Sequence, residues 1–321
     1  MNRNKLNIKL LSTFGQRGSA FSVALPQILQ EIPNVMLLTA DMSSTGALGR
    51  FKDANPDHFI NVGIAEQNLL GMAAGLAEEG WRPICVAQAC FITMRAFEQA
   101  RQYAGYMHNP IVLVGIDSGY STKFMGNTHY SLEDLSLMRL IPGMNVVAPC
   151  DALQAALALE AAVKSDNPTY IRLYGMPGHP IVYTSNEAPF EIGKANILKE
   201  GKDVKIVAIG SMVNVAMKAA DQLKKMGIEA EVIDMHTLKP LDTSVLNKVS
   251  LVVTVEEHRM MGGLGEAVAS HYMEAGIQTK LVRMSIPDSF GTVGNVPYML
   301  EQSGLTVEGI VSTINNNFNK E

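Results

Sequence analysis

The sequence predicts an α/β protein of two parallel or mostly parallel sheet domains flanked by helices. Short β-branched runs alternate with longer stretches of helical periodicity, the mark of strand–helix crossover units. The alternation fails between Gly175 and Pro189, where Pro177, Gly178, Pro180 and Pro189 crowd together, and it resumes beyond them. In the first half the strands fall at Val35–Thr39, Ile84–Ala87, Ile111–Gly115, Val146–Ala148 and Tyr170–Leu173. The crossover helices fall at Ala65–Glu79, Phe91–Tyr106 and Ala152–Lys164, each with apolar residues at i, i+3, i+4 spacing. Asp151 is placed to cap the third helix, its carboxylate accepting from the free amides of the first turn. Pro26 interrupts the periodic stretch Ser19 to Ile32, so a kink or a fresh helix start belongs there. In the second half, Val204–Ile209 reads as a strand, Ser211 as the cap of a helix running to Met226, and Ala230–Ile233 and Leu251–Val255 as further strands. The division is 1–185 and 190–321.

Composition excludes several classes. A formal net charge of −5, from 26 basic and 31 acidic residues spread along the chain, leaves no basic stripe for a polyanion, so nucleic acid is not a partner. The longest apolar runs are strand-sized, which argues against a membrane span. Lys5 and Lys9 interrupt the start, Met1 to Phe14, and no small-residue cleavage pattern follows, so no export signal is expected. Cys85, Cys90 and Cys150 are odd in number and sit among apolar neighbours, as buried thiols in a reducing cytoplasm would. Hydrophobic residues make up 47%, and the charged share of 18% lies below the usual ~25%, which points to extensive buried or interface surface.

The most informative segment runs N-V-G-I-A-E-Q-N-L-L-G-M-A-A-G-L-A-E-E from Asn61 to Glu79. Glu66 lies in the first turn of an apolar helix, where the helix dipole favours a carboxylate even without a functional role. Gly71, Ala73, Ala74 and Gly75 permit close packing, so the carboxyl is carried into an apolar interface, a costly place unless it is protonated or hydrogen-bonded. G-I-A-E-Q followed by A-A-G-L-A resembles the aminopyrimidine-binding helix of transketolases and deoxyxylulose-phosphate synthases. The likeness extends colinearly to Ala40–Ser43, to Thr128-His129 with Leu132-Glu133-Asp134, and to Arg139-x-Ile141-Pro142. It continues at Asp234 to Asp242, Glu256-Glu257-His258 and Gly262 to Gly265.

That resemblance implies a thiamine diphosphate pyrimidine-binding domain followed by a transketolase C-terminal domain. It makes Glu66 the group that hydrogen-bonds a ring nitrogen of the cofactor's aminopyrimidine, favouring its imino tautomer. It places Phe91 on the pyrimidine face, with Gln88 and Met94 where relatives often carry aromatics. Asp41 falls near the thiazolium and a partner subunit, although a turn aspartate reads as well on sequence alone. His129 falls on a sugar hydroxyl, Arg17 on a substrate phosphate, and Asp117 and Lys123 on the substrate side; a satisfied structural histidine and a solvated arginine are the ordinary alternatives. Gly263-x-Gly265 invites a dinucleotide reading, but Val268 occupies the third glycine position, so a tight helix-start turn is expected. Glu256, Glu257 and His258 are assigned no metal, because adjacent strand residues point to opposite faces.

The sequence has no Gly-Asp-Gly, and a diphosphate held through a divalent cation needs hard oxygen ligands of that kind. The resemblance therefore implies that a separate N-terminal subunit carries the diphosphate-binding domain and its Mg²⁺ or Ca²⁺, in an α2β2 heterotetramer. The leading expectation is two-carbon ketol transfer between sugars. The alternatives are the β chain of a 2-oxo-acid dehydrogenase decarboxylase and a non-catalytic regulatory subunit. Where relatives carry Gly-Glu-Asp-Gly, this chain has Lys123-Phe124-Met125-Gly126, and past Leu173 it has Tyr174-Gly175 with only Arg172 nearby. Those departures imply a lost phosphate clamp and an unusual ketose or acid-bearing sugar as substrate.

Overall fold

A computed structural model describes residues 1–3, 6–175, 178 and 180–318. The strands, in chain order, are β1 Val35–Thr39, β2 Phe59–Asn61, β3 Arg82–Gln88, β4 Val112–Ser118, β5 Asn145–Val147, β6 Thr169–Tyr174, β7 Asn196–Lys199, β8 Val204–Ala208, β9 Ala230–Asp234, β10 Thr237–Lys239, β11 Leu251–Arg259 and β12 Lys280–Ile286. They form a seven-stranded sheet in the order β10-β5-β6-β4-β3-β1-β2 and a five-stranded sheet in the order β12-β11-β8-β9-β7. Among the described residues, β10 against β5 and β7 against β9 are the strand pairs that run antiparallel. Every residue of β1, β4 through Ile116, and β8 is buried, as expected for parallel strands covered by helices on both faces.

The two halves interlock. β10 comes from the second half of the chain yet forms an edge of the first sheet, pairing Thr237 with Val147. Helix Ala152–Lys164 gives Leu153 and Leu157 to a core shared with Val204, Ile206 and Val213, and Ala155, Leu159 and Val163 to the core under Val35, Leu37, Ile84 and Val114. An apolar helix that is buried nearly all round packs on two partners at once. Asp151 caps it as expected, its Oδ1 accepting from the Gln154 N–H at 2.8 Å, while Oδ2 accepts from Val182 and Tyr183 at 3.0 and 2.9 Å. These last two bonds tie down the segment read as a linker, of which Pro177 lies outside the described residues.

Two local expectations need correction. Ser211 stands before helix Met212–Lys225, but its hydroxyl donates to Glu257 Oε2 at 2.6 Å instead of capping, because a buried carboxylate competes for it. The stretch read as a helix from Phe91 to Tyr106 winds mainly with wide π-helical turns, Phe91–Arg95 and Ala100–Tyr106, around the short α segment Phe97–Gln99. Pro26 sits in the first turn of Leu25–Glu31, after a wide turn at Ser19–Ala24, so the interruption is real.

Candidate active site

The carboxyl ends of β1, β3 and β4 gather the candidate residues, the edge at which open α/β sheets collect ligands. Glu66 opens helix Glu66–Glu78 and is only 3% exposed. Arg95 Nη1 donates to its Oε2 at 2.8 Å, and the Gln67 side-chain amide donates to the Arg95 carbonyl at 3.2 Å. The Arg95 guanidinium lies 4.1 Å from the centroid of the Phe91 ring, which meets His129 edge-on at 5.4 Å. This geometry follows from the wide turn after β3, closed by the Ala96 N–H on the Phe91 carbonyl at 3.3 Å, which brings residue 95 back over residue 91. Glu66, Phe91 and His129 therefore form one cluster whose link is Arg95, a residue that the sequence reading missed. Gln88 ends β3 as a buried residue, and Met94 is exposed on the same wide turn.

Asp41 and Asn61 form a second group. Asn61 Oδ1 accepts from the N–H groups of Asp41 and Gly63 at 3.0 Å, and its amide donates to Asp41 Oδ1 at 3.2 Å. Arg17 and Asp117 form a third: Arg17 Nη1 donates to both Asp117 carboxylate oxygens at 3.1 and 3.2 Å, and Nη2 to the Gly175 carbonyl at 2.6 Å. Burial pushes the Asp117 carboxyl above the usual range, against the pull of Arg17. A side chain on Gly175 would overlap Asp117, so the closeness of this pair depends on glycine there. Asp41, Asp117 and Lys123 all have positive φ, at 59°, 57° and 53°. Left-handed backbone at Asp41 and Asp117, at the carboxyl ends of β1 and β4, and at Lys123 on the loop beyond β4, is strain of the kind that collects at ligand sites.

His129 rides on a loop whose feet are joined by paired hydrogen bonds between Gly119 and Ser131, at 3.0 and 3.1 Å. The second half of the chain holds it in place. Glu257 Oε1 accepts from the Tyr120 N–H at 2.8 Å, the Arg259 N–H donates to the Leu132 carbonyl at 2.8 Å, and Asn127 donates to the Gly291 carbonyl at 3.0 Å. Lys123 lies on this loop beside exposed Phe124 and Met125.

Arg172 is not available to a substrate. Its Nε donates to Asp134 Oδ2 at 2.9 Å and its Nη2 to the Ser131 and Glu257 carbonyls at 3.1 and 2.9 Å, all buried. Glu257 points away from Glu256 and His258, which share a face of the strand, with His258 Nδ1 3.9 Å from Glu256 Oε2. Glu256 accepts from the Leu264 and Gly265 N–H groups at 2.7 and 2.8 Å, and burial pushes its carboxyl up to about 7. A side chain on Gly263 would strike that carboxylate, which gives the tight helix-start turn its physical reason. His258 Nδ1 donates to the Arg259 carbonyl at 2.8 Å and its Nε2 accepts from the Ser136 N–H at 3.3 Å, which fixes one neutral tautomer; burial holds the ring down to about 4. Cys85, Cys90 and Cys150 are free and buried. Among the described residues no group of three or more His, Cys, Asp or Glu side chains is placed to hold a metal ion, and no helix is long and apolar enough to cross a membrane.

The class is thus an α/β domain with a buried carboxylate at a helix start, joined through Arg95 to an aromatic ring at the carboxyl end of a parallel sheet, followed by a second α/β domain. Residues 17–174 match the transketolase pyrimidine-binding domain, and residues 193–310 match the transketolase C-terminal domain. The chain belongs to the transketolase family. It is 35% identical to a putative transketolase C-terminal section of Methanocaldococcus jannaschii, over 98% of this chain and all of that protein. It is 38% identical to a 6-deoxy-6-sulfo-D-fructose transketolase subunit of Clostridium sp. (strain MSTE9), over 89% of each. A solved structure described as a split gene transketolase, inactive β4 tetramer, is similar at a TM-score of 0.85 and 38% identity, covering 94% of this chain and 97% of that one.

Proposed function

We propose that this chain is the C-terminal subunit of a split transketolase acting in the cytoplasm. It would transfer a two-carbon glycolaldehyde unit from a ketose to an aldose in an α2β2 assembly with a separate N-terminal subunit. Residues 1–185 would form the pyrimidine-binding domain and 190–321 the C-terminal domain. The carrying observation is Glu66: a carboxylate almost wholly removed from water, at a helix start, joined through Arg95 to the face of Phe91.

The residues present fit one end of thiamine diphosphate. A carboxylate and a phenylalanine face suit a flat, hydrogen-bonding ring, whereas the diphosphate needs a cation in hard oxygen ligands, assigned here to Mg²⁺ or Ca²⁺ on the partner. When bound, the cofactor supplies an acidic thiazolium carbon able to accept and pass on the ketol unit. Glu66 would hold a proton against the ring nitrogen, where a water-poor setting makes that pairing strong. Phe91, with Gln88 and Met94, would line the ring pocket and exclude water. Asp41 would stand near the thiazolium, facing the partner. His129 would hydrogen-bond a sugar hydroxyl, while Arg17, Asp117 and Lys123 would bound the substrate side.

The test is Glu66→Gln in the chain reconstituted with its partner. An amide cannot share the proton with the ring, so turnover should fall about 100-fold or more while folding and assembly persist. Near-normal turnover would reduce Glu66 to a first-turn charge.

A further inference from the structure

A carboxylate as buried as Glu66 needs a partner whenever no ligand is bound, because a lone charge out of water is costly. Arg95 is that partner, and the same guanidinium also lies over the Phe91 ring. We infer that Arg95 is a displaceable stand-in for the cofactor's pyrimidine, occupying in the ligand-free chain the two contacts that the ring takes when it binds. This rests on the functional reading above and specifies how that same site is kept before loading.

The chemistry of the guanidinium supports the exchange. It is flat, carries N–H donors in a fixed fork and stacks on aromatic faces, so an N–H on Glu66 and a planar face on Phe91 are shared by arginine and by a nitrogenous ring. The arginine side chain is 46% exposed, against 4% for that of Glu66, so solvent is ready to receive it once it leaves. The exchange leaves no orphaned charge, because the arginine end of the pair is half in water and the ring takes over the contact with Glu66 as the guanidinium leaves. Glu66 and Phe91 are fixed on helix starts and turns, whereas the arginine is a long, rotatable chain. The moving part of the exchange is therefore Arg95.

The isolated full-length chain can be titrated with 4-amino-5-hydroxymethyl-2-methylpyrimidine, the ring without thiazolium or diphosphate, by ligand-observed NMR. Arg95→Met and Arg95→Gln are both compared with the parent chain, so that one poorly folding variant does not decide the outcome. Removal of the stand-in should tighten ring binding about 3-fold or more, and adding Glu66→Gln to either variant should abolish the gain. Equal or weaker binding by the folded Arg95 variants, with binding still lost in Glu66→Gln, would overturn the exchange while leaving the cofactor assignment standing. No binding by any form, or binding indifferent to Glu66→Gln, would overturn both.

Discussion

Replacing Arg172 with methionine should cost about 4 kcal/mol of stability. The side chain is 5% exposed and Asp134 is fully buried. Without the guanidinium, the Asp134 carboxylate keeps only the Tyr170 hydroxyl on Oδ2, at 2.7 Å, and its Oδ1 already has no partner. Removing one member of a buried ion pair costs about 3–5 kcal/mol. Urea unfolding followed through Trp81, the single tryptophan, measures the loss. The double variant Arg172→Met, Asp134→Asn should regain at least half of the loss, since the orphaned charge is gone while Tyr170 keeps an acceptor. A single variant within about 1 kcal/mol of the parent, or a double variant that regains nothing, would refute the buried-pair account.

Two further outcomes follow from the same structure. His258 is held to about 4 by burial, against 6.5 for the free ring, so its contribution to stability is present above about pH 6.5 and lost as the pH falls toward 4. Relative to His258→Gln, the parent should lose about 2 kcal/mol more between pH 6.5 and 4.5. Asp234, pushed up to about 7, acts in the opposite sense in both proteins and cancels in this comparison, whereas Glu256 Oε2, 3.9 Å from His258 Nδ1, is coupled to the ring; parallel urea-midpoint profiles would contradict it. On substrate, Arg17 is neutralised by Asp117 and Arg172 is sequestered. The reconstituted pair should therefore use xylulose 5-phosphate with ribose 5-phosphate about 10- to 150-fold less well than sugars with other terminal groups. A kcat/KM of roughly 10⁴ M⁻¹s⁻¹ or better on the standard pair would sink the altered specificity.

The parts of the fold that announce themselves in the sequence are those whose signal is local. β1, β4 and helix Ala152–Lys164 are dense apolar runs of the right length, and the structure finds them at or near the expected bounds. β2, β7 and β10 are edge strands of three or four residues, too short to show a period, and β10 is defined by a partner about 90 residues away. β12 mixes Lys280 and Arg283 into its apolar residues because it is an edge with half-exposed positions. At the site, Glu66 and His129 stood out through motifs in order, whereas Arg95 did not. An arginine four residues after a phenylalanine looks like an ordinary solvated helix position, and the wide turn that folds it over Phe91 has no 3.6-residue signature.

Arg172 also connects stability to the candidate site. Its Nη2 donates to the Ser131 carbonyl, and Ser131 is one foot of the loop bearing Lys123 and His129. The other foot is held at Tyr120 by Glu257, whose own carbonyl accepts from the same guanidinium. A side chain on Gly119 would overlap the Glu257 carboxylate, so the loop can close on β11 only with glycine at that foot. Glu257 belongs to the five-stranded sheet, and Arg172 to the seven-stranded one, so the loop's base is set where the two sheets meet. A change there can disturb His129 without touching it, by releasing both feet together. The second domain thereby acts on the candidate site as the fixed wall against which the His129 loop is folded, and Arg172→Met is the change that loosens the sheets and the loop at once.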